Sequence, residues 1–507
     1  MAQASAETSW HLPALLEQAA QRWPERPFLL SGGDTVISYG DASERVSRVA
    51  ASLHSMGVGR GDRVMMVCAN REELVMLAFA TLRVGAIFVI LSPETKTEGF
   101  SRIVTQCAPK VIMLDASSGG LYDASITTRW VRAEQDFASL CETSGGTAPA
   151  FPGIDQDPAF LVFTSGSTGT PRGVILSHDN VRFATAAIQA RLQYVETDRI
   201  GVFLPMSFDY GLYQIFLAMQ AGAAVLLGRP EMVGPEFART LASKGITVLP
   251  GVPTLFSALI KLQSWRPVQM PALRMATNTG DHLPAVHIEK LHALFPGLRV
   301  FPMYGLTECK RISILLPEEL AERPGSVGRP LDGTEVFAVD ASGEPLPSGS
   351  VGELVVRGRH LALGYWGTDE ETTKRYRRLG LGQARTMFTG DMGRVDEQGY
   401  LYFHGRGDFL IKHRGHRMSP LEIEEAVCTM PGILAAGVVK HEVDERLHLF
   451  VEATEGLSEG DVTRWLGERL EQVKVPECVH FVAALPKTTN QKVDRKALRT
   501  LLLEGRQ

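Results

Sequence analysis

The chain has 507 residues, 44% apolar and 21% charged, enough for about three domain-sized units and too many for a single core. Its 52 basic and 57 acidic side chains leave a formal charge of −5, so there is no overall basic field and small substrates are expected, not nucleic acid. The six cysteines form no C-x-x-C pair and no cluster with histidine, which predicts reduced, mostly buried thiols in a cytoplasmic protein and indicates neither zinc nor a disulfide framework.

In chain order, residues 1–7 lack the basic region and apolar core of a secretory signal. From residue 12 to about 330, apolar helical patterns alternate with β-branched runs at 63–68, 110–114, 223–227 and 247–249, predicting parallel sheets covered by helices on both faces. The most apolar stretches, 74–91 and 212–227, are interrupted by Arg83, Gly85, Gln214, Gln220 and Gly222, and read as buried helix–strand units, not membrane spans.

Within this region, residues 162–173 run from an apolar strand into Thr164, Ser165, Gly166, Ser167, Thr168 and Gly169, with Arg172 and Gly173 close behind. Glycines let the backbone turn its N–H groups toward an anion, while the hydroxyls donate and Arg172 adds charge. The segment reads as a phosphate cradle or as a bare strand-to-helix turn. It is not a Walker loop, because Pro171 and Val174 stand where the second glycine would fall.

Four further segments carry candidate chemistry. In Phe208-Asp209-Tyr210-Gly211 the aspartate is either an anchor for a substrate amine or a helix cap. Asn278-Thr279-Gly280-Asp281 precedes a helical pattern, and Tyr304-Gly305-Leu306-Thr307-Glu308 is either part of a site or a helix start capped by Thr307. Lys310 and Arg311 either meet an anionic group or form a solvated face. Between 331 and 404 the pattern becomes short strands split by turns, suiting a small antiparallel barrel or sheet and containing Thr389-Gly390-Asp391. After Arg406 a unit of about 100 residues begins, with a helix near 421–430 and strands near 435–439 and 447–451. It ends in Asn490-Gln491-Lys492-Val493-Asp494-Arg495.

Together, in this order, the segments at 164–169, 303–308, 389–391, 405–408 and 490–495 closely resemble the adenylate-forming superfamily of acyl-CoA synthetases, stand-alone adenylation enzymes of peptide and polyketide assembly lines, and firefly-type luciferases. The resemblance spans nearly the whole chain. It implies an N-terminal domain over 1–404 of two doubly wound sheets and a small β-barrel, a hinge at 405–408 centred on Asp408, and a mobile α+β lid over 409–507. By the same resemblance, Thr164 to Gly169 and Arg172 hold the ATP phosphates, and Tyr304, Gly305, Asn278, Thr279 and Gly280 line the adenine. Asp391 receives the ribose hydroxyls beside Arg406, Thr307 and Glu308 serve the α-phosphate and Mg²⁺, and Lys492 serves adenylate formation.

The implied reaction joins a small carboxylic acid, expected to bear an amine bound by Phe208 and Asp209, to AMP with release of pyrophosphate. The acyl group then passes to a thiol, the phosphopantetheine of a carrier protein or CoA; no carrier motif follows residue 507, so a separate carrier is expected. Departures from the family pattern are Arg172 in place of lysine, Gln491 in place of glycine, Pro302 in place of asparagine, and Gly211 and Gln214 where serine and glutamate are usual.

Overall fold

The computed structural model describes residues 10–31, 35–142, 150–164, 171–379, 384–407, 411–413, 416–441, 444–454, 456–488 and 492–504. Glycines end the apolar runs as their backbone freedom allows. The run at 74–91 becomes helix Glu72–Arg83 and strand Ile87–Leu91, parted where Gly85 takes a φ of 75°. In the run at 212–227, helix Asp209–Ala221 closes on Gly222 in the left-handed conformation before strand Ala224–Leu227. Among the described residues no helix is long and apolar enough to cross a membrane.

Two mixed sheets form the large N-terminal part. The seven-stranded sheet has the spatial order Gly364–Tyr365, Arg172–Ser177, Pro158–Thr164, Ile87–Leu91, Arg63–Val67, Val111–Leu114, Arg129–Arg132, parallel from Pro158–Thr164 onward. The nine-stranded sheet runs Arg329–Pro330, Ser313–Ile314, Arg299–Tyr304, Met275–Asn278, Val248–Gly251, Arg199–Val202, Ala224–Leu227, Pro27–Leu30, Val36–Ser38, with its central strands parallel. Helices Glu72–Arg83 and Asp209–Ala221 meet between the sheets, where the Phe79 and Phe216 rings lie 6.0 Å apart and Phe216 and Phe160 6.1 Å apart.

Beyond residue 330 a five-stranded antiparallel sheet follows, Thr334–Val339, Gly352–Gly358, Ala384–Val395 and Tyr376–Leu379, with Leu401–Arg406 added on Ala384–Val395. It occupies the place expected for the small barrel; among the described residues no ladder joins its edges. The small C-terminal part packs helix Pro420–Cys428 on strands Ile433–Lys440, Leu447–Ala453 and Cys478–Phe481 around buried Ile423, Val427, Val438, Leu449 and Leu466. Its helix and first two strands follow the sequence reading. The third strand, only Cys-Val-His-Phe, offers too little alternation to be read.

Candidate active site

Asn278 and Tyr304 are the last residues of adjacent parallel strands, at the edge where open α/β sheets bind ligands. Ser165, Gly166, Ser167, Thr168 and Gly169 lie outside the described residues, but their flanks do not. Thr164 pairs with Arg172 across antiparallel strands, so the glycine-rich segment links a hairpin, not a strand and a helix. Arg172 lies beside Glu371: its Nη2 donates to Glu371 Oε1 at 2.8 Å and its Nε lies 2.7 Å from Oε2. The charge that the sequence reading assigned to the nucleotide is here paired with a carboxylate.

Tyr304, Asp391 and Arg406 come together as expected. The Tyr304 hydroxyl donates to Asp391 Oδ2 at 2.6 Å, and Arg406, opposite Asp391 in strand register, places Nε 3.7 Å from Oδ1. Thr389 Oγ1 accepts from the Asp391 N–H at 3.0 Å, and Gly390 N donates to Glu353 Oε1 at 2.9 Å, fixing the turn. Asp391 is 2% exposed and its burial raises the carboxyl pKa, against the lowering effects of Tyr304 and Arg406. Its Oδ1 has no hydrogen-bond partner among the described residues. A buried acceptor left open in this way suits a donor brought by a ligand, such as a ribose hydroxyl pair.

After Tyr304 the chain turns without forming a helix, so Thr307 is not a helix cap. A Cβ added at Gly305 would lie 1.9 Å from the Lys310 carbonyl oxygen, and Lys310 itself has a φ of 62°. We therefore expect Gly305→Ala to lower stability by about 3 kcal/mol, as severe overpacking does; an unchanged denaturant midpoint would refute this. The turn carries Glu308, whose Oε1 accepts from the Tyr365 hydroxyl at 2.8 Å. That carboxylate keeps further lone pairs and has the hard oxygens that Mg²⁺ prefers.

Lys310 and Arg311 do not form a solvated face. Both are 3% exposed, and Lys310 Nζ lies 2.6 Å from Asp209 Oδ2 and 3.9 Å from the Tyr213 ring centroid. Arg311 stacks 4.9 Å from the Tyr210 ring centroid, and its Nε has no hydrogen-bond partner among the described residues. Asp209, 5% exposed, is the first residue of its helix; Phe208 holds the cap position and no side-chain cap bond forms, so capping does not explain the aspartate. Burial pulls the Lys310 pKa down to about 7 against the opposing pull of Asp209. One carboxylate therefore faces two buried cations.

Lys492 reaches this site from the C-terminal part. Gly280, with a φ of 91°, leaves room for it: a Cβ there would lie 3.3 Å from Lys492 Cε and 3.2 Å from Phe208 Cζ. Lys492 Nζ stands 5.8 Å from the Phe208 ring centroid. The C-terminal part is seated by polar contacts, with Leu434 O accepting from Ser257 Oγ at 3.4 Å and 3.1 Å from His287 Nε2, and with His282 Nε2 2.5 Å from Glu425 Oε1. Asp408, Asn490 and Gln491 lie outside the described residues. Sequence reading missed Tyr365 and Glu371 as members of the charge network and left Lys310 open between an inward and a solvated role. Tyr365 and Glu371 stand in a segment read as strands and turns, and no local signal marks them.

The sequence matches the family model described as AMP-binding enzyme over residues 16–366, and that of the AMP-binding enzyme C-terminal domain over 422–492. It is 29% identical over 496 residues to tyrocidine synthase 3 of Brevibacillus parabrevis, covering 96% of this chain but only 8% of that protein. It is 29% identical over 493 residues to a feruloyl-CoA synthase of an Amycolatopsis species, covering 94% of this chain and 97% of that one. Among solved structures it resembles VinN in complex with L-aspartate, at 32% identity and a TM-score of 0.71 over 78% of this chain and 98% of the other.

Proposed function

The chain belongs to the AMP-binding enzyme family and is an AMP-forming ligase; on that premise we propose that it activates an amino acid carrying a second acidic group and passes the acyl group to the phosphopantetheine thiol of a separate carrier protein. The observation that carries this reading is the buried cluster of Asp209, Lys310 and Arg311. Two cations against one carboxylate leave a buried excess of positive charge, which is costly without a counter-ion. An amino dicarboxylic acid complements it, its ammonium approaching Asp209 and its second carboxylate approaching Lys310 and Arg311. The 32% identity to a protein solved with L-aspartate supports the same substrate class.

In the first step an oxygen of the acid's reacting carboxylate bonds to the α-phosphorus of ATP, and the bond to the bridging oxygen breaks, releasing pyrophosphate. Asp391 Oδ1 accepts ribose hydroxyls, Tyr304 and Thr307 lie along the nucleotide, and Lys492 brings its cation to the carboxylate as negative charge shifts to the leaving group. Glu308 would hold Mg²⁺, which would supply neutralisation of charge on the phosphates. In the second step the thiol attacks the acyl carbon and AMP leaves. Withdrawal of Lys492 by rotation of a lid over 409–507 about a hinge at 405–408 lets the thiol approach.

Arg311→Leu is expected to lower kcat/KM for an acidic amino acid by about 2–3 kcal/mol, roughly 30- to 160-fold, while sparing a neutral amino acid; equal losses on both would oppose the second-carboxylate role. Because burial lowers the Lys310 pKa to about 7, kcat/KM for the acidic substrate is expected to fall as pH rises through that value and the cation loses its proton. A profile flat between pH 6 and 8 would contradict this. A second reading, an acyl-CoA ligase, is favoured by the full-length similarity to feruloyl-CoA synthase. Product formation with CoA matching that with phosphopantetheinylated carrier protein would select it.

A further inference from the structure

Three donor groups unrelated to the adenylation chemistry converge in the C-terminal part. His441 follows strand Ile433–Lys440, Asp444 lies in the connection, and His448 is the second residue of strand Leu447–Ala453. The two strands are antiparallel neighbours, so the fold brings the histidines back toward each other. Ligand atoms of the three residues all lie within 4.8 Å of one another. His441 Nδ1 is 3.1 Å from Asp444 Oδ1, and His448 Nε2 is 3.5 Å from Asp444 Oδ2.

Those separations bracket the donor-to-donor spacing of about 3.3 Å that a tetrahedral centre with bonds of 2.0–2.1 Å requires. Both histidines are more than nine-tenths buried, at 4% and 7% exposure; His448 Nε2 has no hydrogen-bond partner among the described residues, and His441 Nδ1 accepts from the Asp444 N–H at 3.4 Å. The other nitrogen of His448, Nδ1, lies 2.9 Å from His480 Nε2. An imidazole fixed through one nitrogen with its second aimed at a carboxylate has the arrangement of a metal-ligating histidine with its outer partner. Asp444 also lines an open cleft with His413, Glu445, Arg446 and Glu477, giving a route for a hydrated ion.

We propose that His441, Asp444 and His448 form a binding site for a borderline-soft divalent cation of the zinc class, with a fourth position left for water. Such an ion would clasp the ends of two strands and stiffen the C-terminal part. The cysteines gave no hint of it, because the ligands are two imidazoles and a carboxylate.

The test uses the full chain without a histidine tag, stripped by a chelator and titrated with Zn²⁺ by equilibrium dialysis, with Co²⁺ as a spectroscopic substitute. The wild type is expected to take up one equivalent and to melt at a higher temperature when loaded. Asp444→Asn and His448→Gln are expected to bind at least 100-fold more weakly and to lose the thermal shift, while melting like the stripped wild type. His480→Phe, which removes only the outer partner, is expected to weaken binding about 10- to 100-fold. Should His448→Gln fail to fold, isosteric Asp444→Asn at a partly exposed position still decides. Uptake by the wild type no greater than by His441→Gln/His448→Gln, or uptake unaffected by Asp444→Asn, would overturn the proposal.

Discussion

Replacing Lys492 by alanine is expected to slow acid-dependent pyrophosphate exchange by about 10²–10³-fold, the loss usual when one charged donor is removed from a developing anion. Thiol transfer from supplied acyl-adenylate should continue at near the wild-type rate. The expectation rests on placement: Lys492 is the C-terminal residue whose stem lies against Gly280 and Phe208, beside the strand ends that carry Asn278 and Tyr304. Its charge is useful only while the C-terminal part is seated through Leu434 and the His282–Glu425 pair. Equal losses in the two half-reactions would show that the lysine supports the fold or binds AMP in both steps, and would remove its assignment to adenylation.

Asp209→Ala is expected to lower stability by about 3–5 kcal/mol and to reduce turnover of amino acids by more than about 100-fold, because it strands two buried cations. The two effects separate in a double variant. Asp209→Ala/Lys310→Met removes both partners of the 2.6 Å pair and should regain most of the lost stability without regaining activity. Chemical denaturation of the four forms, wild type, both single variants and the double, gives the coupling directly. A double variant as unstable as Asp209→Ala would mean that the aspartate is held by something other than Lys310. A stable double variant with wild-type turnover would end the role of Asp209 in binding the amine.

The features most legible in the sequence were those written locally. Glycine-terminated apolar runs gave the helix–strand units at 72–91 and 209–227, because glycine takes the left-handed conformation at no steric cost. The ordered motifs placed Tyr304, Asp391, Arg406 and Lys492, and the first three of these meet as expected. What could not be read was the partner each charge would find across the fold. Nothing near Arg172 announces Glu371, and nothing near Asp209 announces Lys310, since these pairs form only when distant strands and loops are brought together. Lys310 and Arg311 illustrate the limit: the sequence left them open between meeting an anionic group and a solvated face, and their burial beneath Tyr213 and Tyr210 excludes the solvated face. The His441, Asp444 and His448 spacing is local and was available to inspection. It became informative only when the hairpin folded the histidines onto the aspartate.

The most direct test of the proposed activity is acid-dependent pyrophosphate exchange over a panel of amino dicarboxylic, neutral amino, aryl and fatty acids, with Arg311→Leu assayed beside the wild type. The highest kcat/KM is expected for an amino dicarboxylic acid, with loss of that preference in the variant. Turnover of aryl or fatty acids at equal or higher kcat/KM, unchanged by the variant, would contradict it.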